Sequence, residues 1–245
     1  VDSGNVTVGS GITLSVDGNI FATGVTTVGN RIFVSAGSSI GIGTDAPQSL
    51  LSINDNNSAN DTPEIRKQIE FMKECQKKIK KILAICWGMQ VAVVAAGGEV
   101  KKSSNGSHIG IAFDIELNPN GQKHPIYKGK KNKFCSPAFN FDEVVTLQKD
   151  ATLLASNNIN KISSISFNHE KSEIWGIQYH PEIKYEKMIE LIKFRKDRLI
   201  NQRKAFKSYD EIDHHISLIK NELSKSEINH RMIELKNWLG SINGN

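Results

Sequence analysis

Two patterns of hydrophobic and polar positions follow one another along the chain. Up to residue 53, Val6, Val8, Ile12, Leu14 and Ile20 alternate with polar or small residues between turn signals such as "DGN" and "VGN". That pattern predicts short strands of period two. "NDNNSAND", Asn54 to Asp61, is too polar to form a core and reads as a linker. From Asp61 the period lengthens. Asp61 and Glu64 read as a capping-box pair with Pro63 in the first turn, and Ile65, Ile69, Met72, Cys75 and Ile79 fall on one helical face. Cys75 is expected to be core.

The next segments alternate between the two periods. "KILAI" (81–85) is a short buried strand, and "MQVAVVAAGG" (89–98) is a small-residue helix stopped by Gly97 and Gly98. Ile109, Ile111, Phe113, Ile115 and Leu117 alternate as one strand. Loops are expected at "NPNGQKHP" and "KGKKNK", and strands at 153–155, 162–167 and 174–179. From Lys184 the pattern is helical, in three segments to Leu239. Together these elements predict an α/β fold, a mainly parallel sheet flanked by helices, with a β-rich N-terminal segment and a helical C-terminal tail. The expected organisation is a β-rich segment over 1–53, a polar linker over 54–61, an α/β domain over 62–183 and a helical extension over 184–245.

Composition narrows the classes. The chain has 245 residues and no apolar run of eighteen, so neither a membrane span nor a membrane partner is expected. It starts at Val1 with no basic-then-apolar leader, which reads as a fragment or a processed chain. Three cysteines, Cys75, Cys86 and Cys135, match neither a disulfide framework nor a zinc pattern; they suit a reducing, cytoplasmic setting. Residues 1–57 hold one basic residue, Arg31, against four aspartates, a net −3, so the remainder of the chain carries +8 within the overall +5.

Residues 184–207 carry nine basic and three acidic side chains, yet Met188, Leu191, Ile192, Arg195 and Leu199 fit an amphipathic helix docked on the domain. Nucleic acid is therefore not the expected partner. His214 and His215 point apart on a helix among Asp210, Glu211 and Asp213, and read as surface residues rather than metal ligands. No metal or other cofactor is expected. His108, His124 and His169 show no evident partners in the sequence.

Cys86 stands between the strand "KILAI" and a helix, the layout of a nucleophile elbow. Small neighbours, Ala84 and Gly88, suit such a turn. The dipole of the following helix favours an anion at the sulfur, and the N–H of Trp87 would face an oxyanion formed on an attacked carbonyl. A base and its orienting group are offered 94 positions later in "IWGIQYHPEI", where His180 and Glu182 follow a buried strand.

"AICWGMQVAVVAAGGEV" together with "WGIQYHPE" resembles the class I, triad-type glutamine amidotransferases, in particular proteins similar to the amidotransferase domain of GMP synthase. The resemblance runs from about Asp61 to Trp238 and includes "NGSHIGIAFDIEL", "FDEVVTL" and "ATLLASN". It implies Cys86 as nucleophile, His180 as base and then acid, Glu182 as its orienting group, Gly88 as the elbow glycine and Gln90 as a residue holding glutamine. The implied reaction is glutamine plus water to glutamate plus ammonia, through a γ-glutamyl thioester. Its implied partners are glutamine and a synthase or small-molecule ammonia acceptor.

Three departures accompany the resemblance. Ala84 stands where the elbow usually has glycine, and Asn140 near where relatives carry a Ser-His pair. The family's first strands and a Gly-rich loop, which gives a second oxyanion donor, are expected to be missing, and activity to be impaired. Residues 1–50 resemble instead β-rich phage tail-fibre sequence, for which oligomerisation is expected. Two other readings stay open: a structural or virion-associated fusion with an inactive amidotransferase-like passenger, and a γ-glutamyl peptide hydrolase.

Overall fold

The structure is a computed structural model that describes residues 62–225 and 228–242, together with the backbone of five short strands before residue 54. The chain divides into two compact units, Val1–Asp55 and Asn56–Asn245. In the first, β1 (Val6–Val8), β2 (Ile12–Leu14) and β3 (Ile20–Ala22) form an antiparallel meander, and β4 (Ile40–Ile42) pairs in parallel with β5 (Leu51–Ile53). The strands expected at Val6, Ile12 and Ile20 are present. The linker 54–61 and the fibre-like character of the segment lie outside the described residues.

The second unit opens with α1 (Pro63–Lys78). Its N-cap is Thr62 rather than Asp61, and the Thr62 hydroxyl accepts from the Ile65 N–H at 3.4 Å. The ring of Pro63 forces the residue before it into extended backbone, and Thr62 at φ −102°, ψ 157° occupies that position. Ile65 is buried, whereas Cys75 is only half-buried and Ile79 is exposed. The helix is anchored by Gln76, fully buried, whose amide donates to the carbonyl of Ala92 at 3.0 Å.

A six-stranded sheet follows: β6 (Lys81–Ile85), β9 (Ala112–Leu117), β10 (Lys133–Ser136), β13 (Thr152–Ser156), β14 (Ser164–His169) and β15 (Ser172–Ile177), in the order β10-β9-β13-β14-β15-β6. Helices flank it, as expected. The sheet is mixed rather than mainly parallel, however, because β15–β6 is its one parallel pair among the described residues. Hairpin-length connections join β14 to β15 and force antiparallel neighbours; the parallel pair is the one separated by most of the domain. The single strand expected over 109–117 is broken into β8 (His108–Ile109) and β9 at Gly110, whose φ of +85° turns the chain. A Cβ there would meet the tips of Ile192 and Ile219 at 2.6 and 2.9 Å. Smaller pairs join β8 to β11 (Phe139–Asn140) and β7 (Glu99–Lys102) to β12 (Asp142–Thr146). The expected loop at "NPNGQKHP" contains the short α3 (Pro119–Lys123), capped by the Asn118 side chain.

Alternation along β15 builds both faces of the core. Ile174 faces α2 (Trp87–Ala95) with Met89, Ala92, Val93 and Ile165, while Trp175 and Ile177 face Ile115, Tyr127, Leu154 and Tyr179. After residue 184 come α4 (Tyr185–Phe194), a π-helical turn (Arg198–Gln202), α5 (Tyr209–Lys225), α6 (Ile228–Arg231) and α7 (Ile233–Ile242), more segments than the three expected. Met188, Ile192, Leu199, Ile212 and Ile219 are buried on this tail, and the last four of them cluster with Ile109 and Ile111, so the basic stretch docks through an apolar face. His215 reaches the Ile109 carbonyl at 2.6 Å, and His214 is exposed.

The last helix is tied in by charge. Lys130 and Glu234, with side chains 1% and 0% exposed, pair at 2.9 Å. Glu234 also accepts from the Tyr179 hydroxyl at 2.8 Å, and Tyr179 meets Tyr127 at 2.7 Å. Burial pushes the Glu234 carboxyl up against the pull of Lys130, and burial pushes the Lys130 ammonium down. Lys130→Met should therefore cost about 3–5 kcal/mol, because it strands a buried carboxylate. Adding Glu234→Leu to it should restore part of that loss in urea unfolding; equal losses in the single and double variants would contradict the pairing.

Candidate active site

The parallel pair β15–β6 sets the geometry of the site. Gly176 lies opposite Ala84 and Ile177 opposite Ile85, and the N–H of Cys86 extends the ladder to the Ile177 carbonyl at 2.7 Å. Cys86 then leaves the strand at φ 50°, ψ −107°, a positive-φ conformation that costs a non-glycine residue about 1–3 kcal/mol. This is the sharp strand-to-helix turn that the sequence pattern predicts. Cys86 serves as N-cap of α2 with no side-chain cap bond, so the first N–H groups of that helix, starting at Trp87, surround the sulfur's end of the turn.

The small residue needed beneath α2 is found on the neighbouring strand. A Cβ on Gly176 would lie 2.9 Å from Met89 Cγ and from Ile165 Cγ1, whereas Ala84 is accommodated in the core at 2% exposure. Gly88, by contrast, is not required by packing: a Cβ there would meet no heavy atom within 4 Å. The expectation that the turn itself needs a small residue at 88 is corrected; that position faces open space beside Cys86. Trp87 is half-buried and its indole N–H donates to Gln68 of α1.

His180 does not sit at the end of the strand, because β15 stops at Ile177. It lies three residues on, held by its N–H to the Pro137 carbonyl at 2.7 Å. Its Nδ1 meets Glu182 Oε1 at 2.6 Å, with side chains 21% and 37% exposed. Burial works against protonation of His180, yet hydrogen bonds and electrostatic attraction from Cys86 and Glu182 outweigh it and push the imidazole up to about 10. The structure thus brings Cys86, His180 and Glu182 together.

Gln90 lies in the same region, but its amide is turned into the protein. Its Nε2 donates to the Asp142 carbonyl at 3.0 Å and to Gln178 Oε1 at 3.1 Å. Gln178, which no sequence motif singles out, donates Nε2 to Cys86 Sγ at 3.4 Å. The polar chain continues inward. Asn140 donates to the same Asp142 carbonyl and to Asn160, and accepts from His108 Nδ1 at 2.9 Å. Asn157 in turn contacts His108 Nε2 at 2.9 Å. Burial holds the His108 pKa below its usual value, so this histidine, which shows no partner in the sequence, is a neutral link with two asparagine partners. Asn140 is likewise committed to interior bonds. The only signal for these residues is polarity at buried positions, since, apart from the Asp142 carbonyl bonded by Asn140, the partners named lie 20 to 92 residues away.

Among the described residues no group of histidine, cysteine and carboxylate side chains could hold a metal ion, and no helix is long and apolar enough to cross a membrane. If the Cys86 contact raises His180, the imidazole proton in the full chain should titrate near 10 by NMR and fall toward the ordinary 6.5 in Cys86→Ala, where burial remains and the partner is gone. A raised pKa in the folded state stabilises fully below 6.5 and loses that contribution as pH rises through about 10, so the variant should also lose alkaline sensitivity of stability. An unchanged midpoint in Cys86→Ala would place the two side chains out of contact.

The family model for glutamine amidotransferase class-I matches residues 57–196. A gamma-glutamyl-L-1-hydroxyisopropylamide hydrolase from a Pseudomonas species is 38% identical over 120 residues, covering 48% of this chain and 40% of the relative. A glutamine-hydrolyzing GMP synthase subunit from Methanosphaera stadtmanae is 36% identical over 121 residues, covering 48% of this chain and 61% of the relative. The chain thus spans about two fifths to three fifths of the length of these relatives. A solved glutamine amidotransferase from Thermotoga maritima shares the fold, with a TM-score of 0.57 at 18% identity over 80% of this chain and 77% of its own. A strained cysteine elbow facing a His-Glu pair, on a chain matched by that family model over more than half its length, makes this protein a member of the class I glutamine amidotransferase family.

Proposed function

We propose that the chain performs the glutaminase half-reaction, hydrolysing the side-chain amide of glutamine to glutamate and ammonia. The observation that carries this reading is Cys86, held at φ 50° between β6 and α2, near enough to act electrostatically on a His180 that is backed by Glu182 at 2.6 Å. The Cys86 thiol passes its proton to His180, Sγ attacks the amide carbon, and the carbonyl electrons move to oxygen, where the N–H of Trp87 receives the charge. His180 gives its proton to the leaving nitrogen; the C–N bond breaks and ammonia departs, leaving a γ-glutamyl thioester on Cys86. Water then passes a proton to His180, its oxygen adds to the thioester carbon, and the C–S bond breaks as glutamate forms. Glu182 keeps Nδ1 as the hydrogen-bonded nitrogen throughout, leaving Nε2 for the chemistry.

Gln90 supports this site in a different manner from the one implied by the family resemblance. By fixing Gln178 Oε1 it directs the Gln178 N–H at the sulfur. Open space at Gly88 supplies room for the substrate side chain. In this reading the ammonia acceptor is supplied by a separate synthase, as the GMP synthase relatives suggest. A second reading is hydrolysis of another γ-glutamyl amide, favoured by the Pseudomonas relative; both readings use the same Cys86 chemistry.

Glutamate release by the full chain, measured with glutamine and with γ-glutamyl isopropylamide, tests the proposal. Higher kcat/KM for glutamine is expected, and Cys86→Ala should be silent with both. Gln178→Met should lower kcat about tenfold, the worth of a hydrogen bond to a charge-bearing sulfur, with KM little changed. Preference for the isopropylamide would favour the second reading. Hydrolysis of neither would favour a structural role.

A further inference from the structure

The C-terminal helices border an open cavity of about 530 Å³ that the chemistry at Cys86 does not use. It is bounded by the β9–β10 edge, the start of α4, the end of α5 and α6. Its lining is basic in balance: Lys131, Lys133, Lys225 and Arg231 against Asp114 and Glu222. Two of those cations are neutralised locally, Lys133 by Asp114 at 3.2 Å and Lys225 by Glu222 at 3.5 Å. Lys131 forms no ion pair with another described residue, and Arg231 spends Nη1 on two backbone carbonyls, so among the described residues neither cation has a carboxylate partner.

A third group points to a ligand. Tyr185 lines the cavity at 3% exposure, and its hydroxyl makes no hydrogen bond to another described residue. Burial pushes that hydroxyl's pKa up, so it remains a neutral donor. Cys135, on the same wall, is likewise held neutral by burial, which pushes its thiol up to about 11. Two cations without a described carboxylate partner and one free O–H donor on the cavity wall match a doubly charged oxyanion.

Arg231 links this cavity to the catalytic loop. Its Nη1 donates to the carbonyls of Pro181 and, at 2.8 Å, of Ile183. These residues flank Glu182, the partner of His180. A ligand that draws on the Arg231 guanidinium therefore acts on the segment that sets the Glu182–His180 hydrogen bond.

We propose that this cavity is an effector site for a small phosphate-class dianion, held by Lys131, Arg231 and the Tyr185 hydroxyl, and that its occupancy tunes the catalytic loop through Arg231. The coupling half of the proposal rests on the glutaminase reading; the binding half does not. Calorimetric titration of the full chain with inorganic phosphate should give saturable binding that chloride at equal ionic strength does not give. Lys131→Ala, at an exposed position, and Tyr185→Phe should each weaken it about tenfold. Glutamine turnover should change with the same half-saturation as the heat signal, and that change should disappear in Arg231→Lys.

Absence of saturable binding overturns the site. Binding untouched by Lys131→Ala and Tyr185→Phe overturns its location, and binding with constant turnover overturns the coupling. Saturable binding by a chain that hydrolyses no glutamine would leave the site standing and remove the glutaminase reading instead.

Discussion

The site depends on one pairing, the parallel contact between β15 and β6. Parallel neighbours end on the same side of the sheet, so the residues that follow each strand emerge side by side. Here the register places Ile177 opposite Ile85, and the Cys86 N–H closes the ladder on the Ile177 carbonyl. A cysteine and a histidine 94 positions apart in sequence are thereby delivered to one spot. The other pairs of this sheet among the described residues are antiparallel, and with α2 they bury the two faces of β15. Gly176 allows α2 to settle on that strand, with Met89 at a distance no side chain would permit. The strain at Cys86 is sustained because both of its flanks, a paired strand and a buried helix, are fixed.

The His180–Glu182 loop is held from a second direction by elements near the end of the sequence. Arg231 of α6 grips the carbonyls on either side of Glu182, and Glu234 of α7 accepts from Tyr179, the residue before His180. The His180–Glu182 segment is thus clamped between a strand and a pair of helices. An amphipathic tail that could have been ornamental becomes part of the support for the His180–Glu182 loop. It also borders the basic cavity, so the same helices that brace the loop line a second, open pocket.

Much of this was legible in the sequence where a local rule governs. The alternation of Ile174 and Trp175 and the strand–Cys–helix order at 86 fix their own surroundings, and the structure places them accordingly, whereas His180 lies three residues beyond the end of its strand. What could not be read depends on distant partners. Asp61 and Glu64 suggested a cap, but the steric demand of Pro63 on Thr62 set it. Gly110 broke a regular alternation because Ile192 and Ile219, eighty and more positions later, fill the space beside it. Gln178, His108 and Lys130 look like ordinary polar residues until their contacts with Cys86, Asn140 and Glu234 are seen. The mixed sheet was missed for the same reason, since strand direction is decided by connections and not by the pattern within a strand.

The account's central claim is that Cys86, poised by His180, forms a covalent bond to the γ-carbonyl of glutamine. Acid quenching of the full chain during turnover, followed by peptide mass mapping, addresses that bond directly. A γ-glutamyl adduct on the peptide containing Cys86, absent from those containing Cys75 and Cys135 and lost in Cys86→Ser, is the predicted result. Glutamate release that proceeds with no adduct on Cys86, or that survives Cys86→Ala, would contradict it.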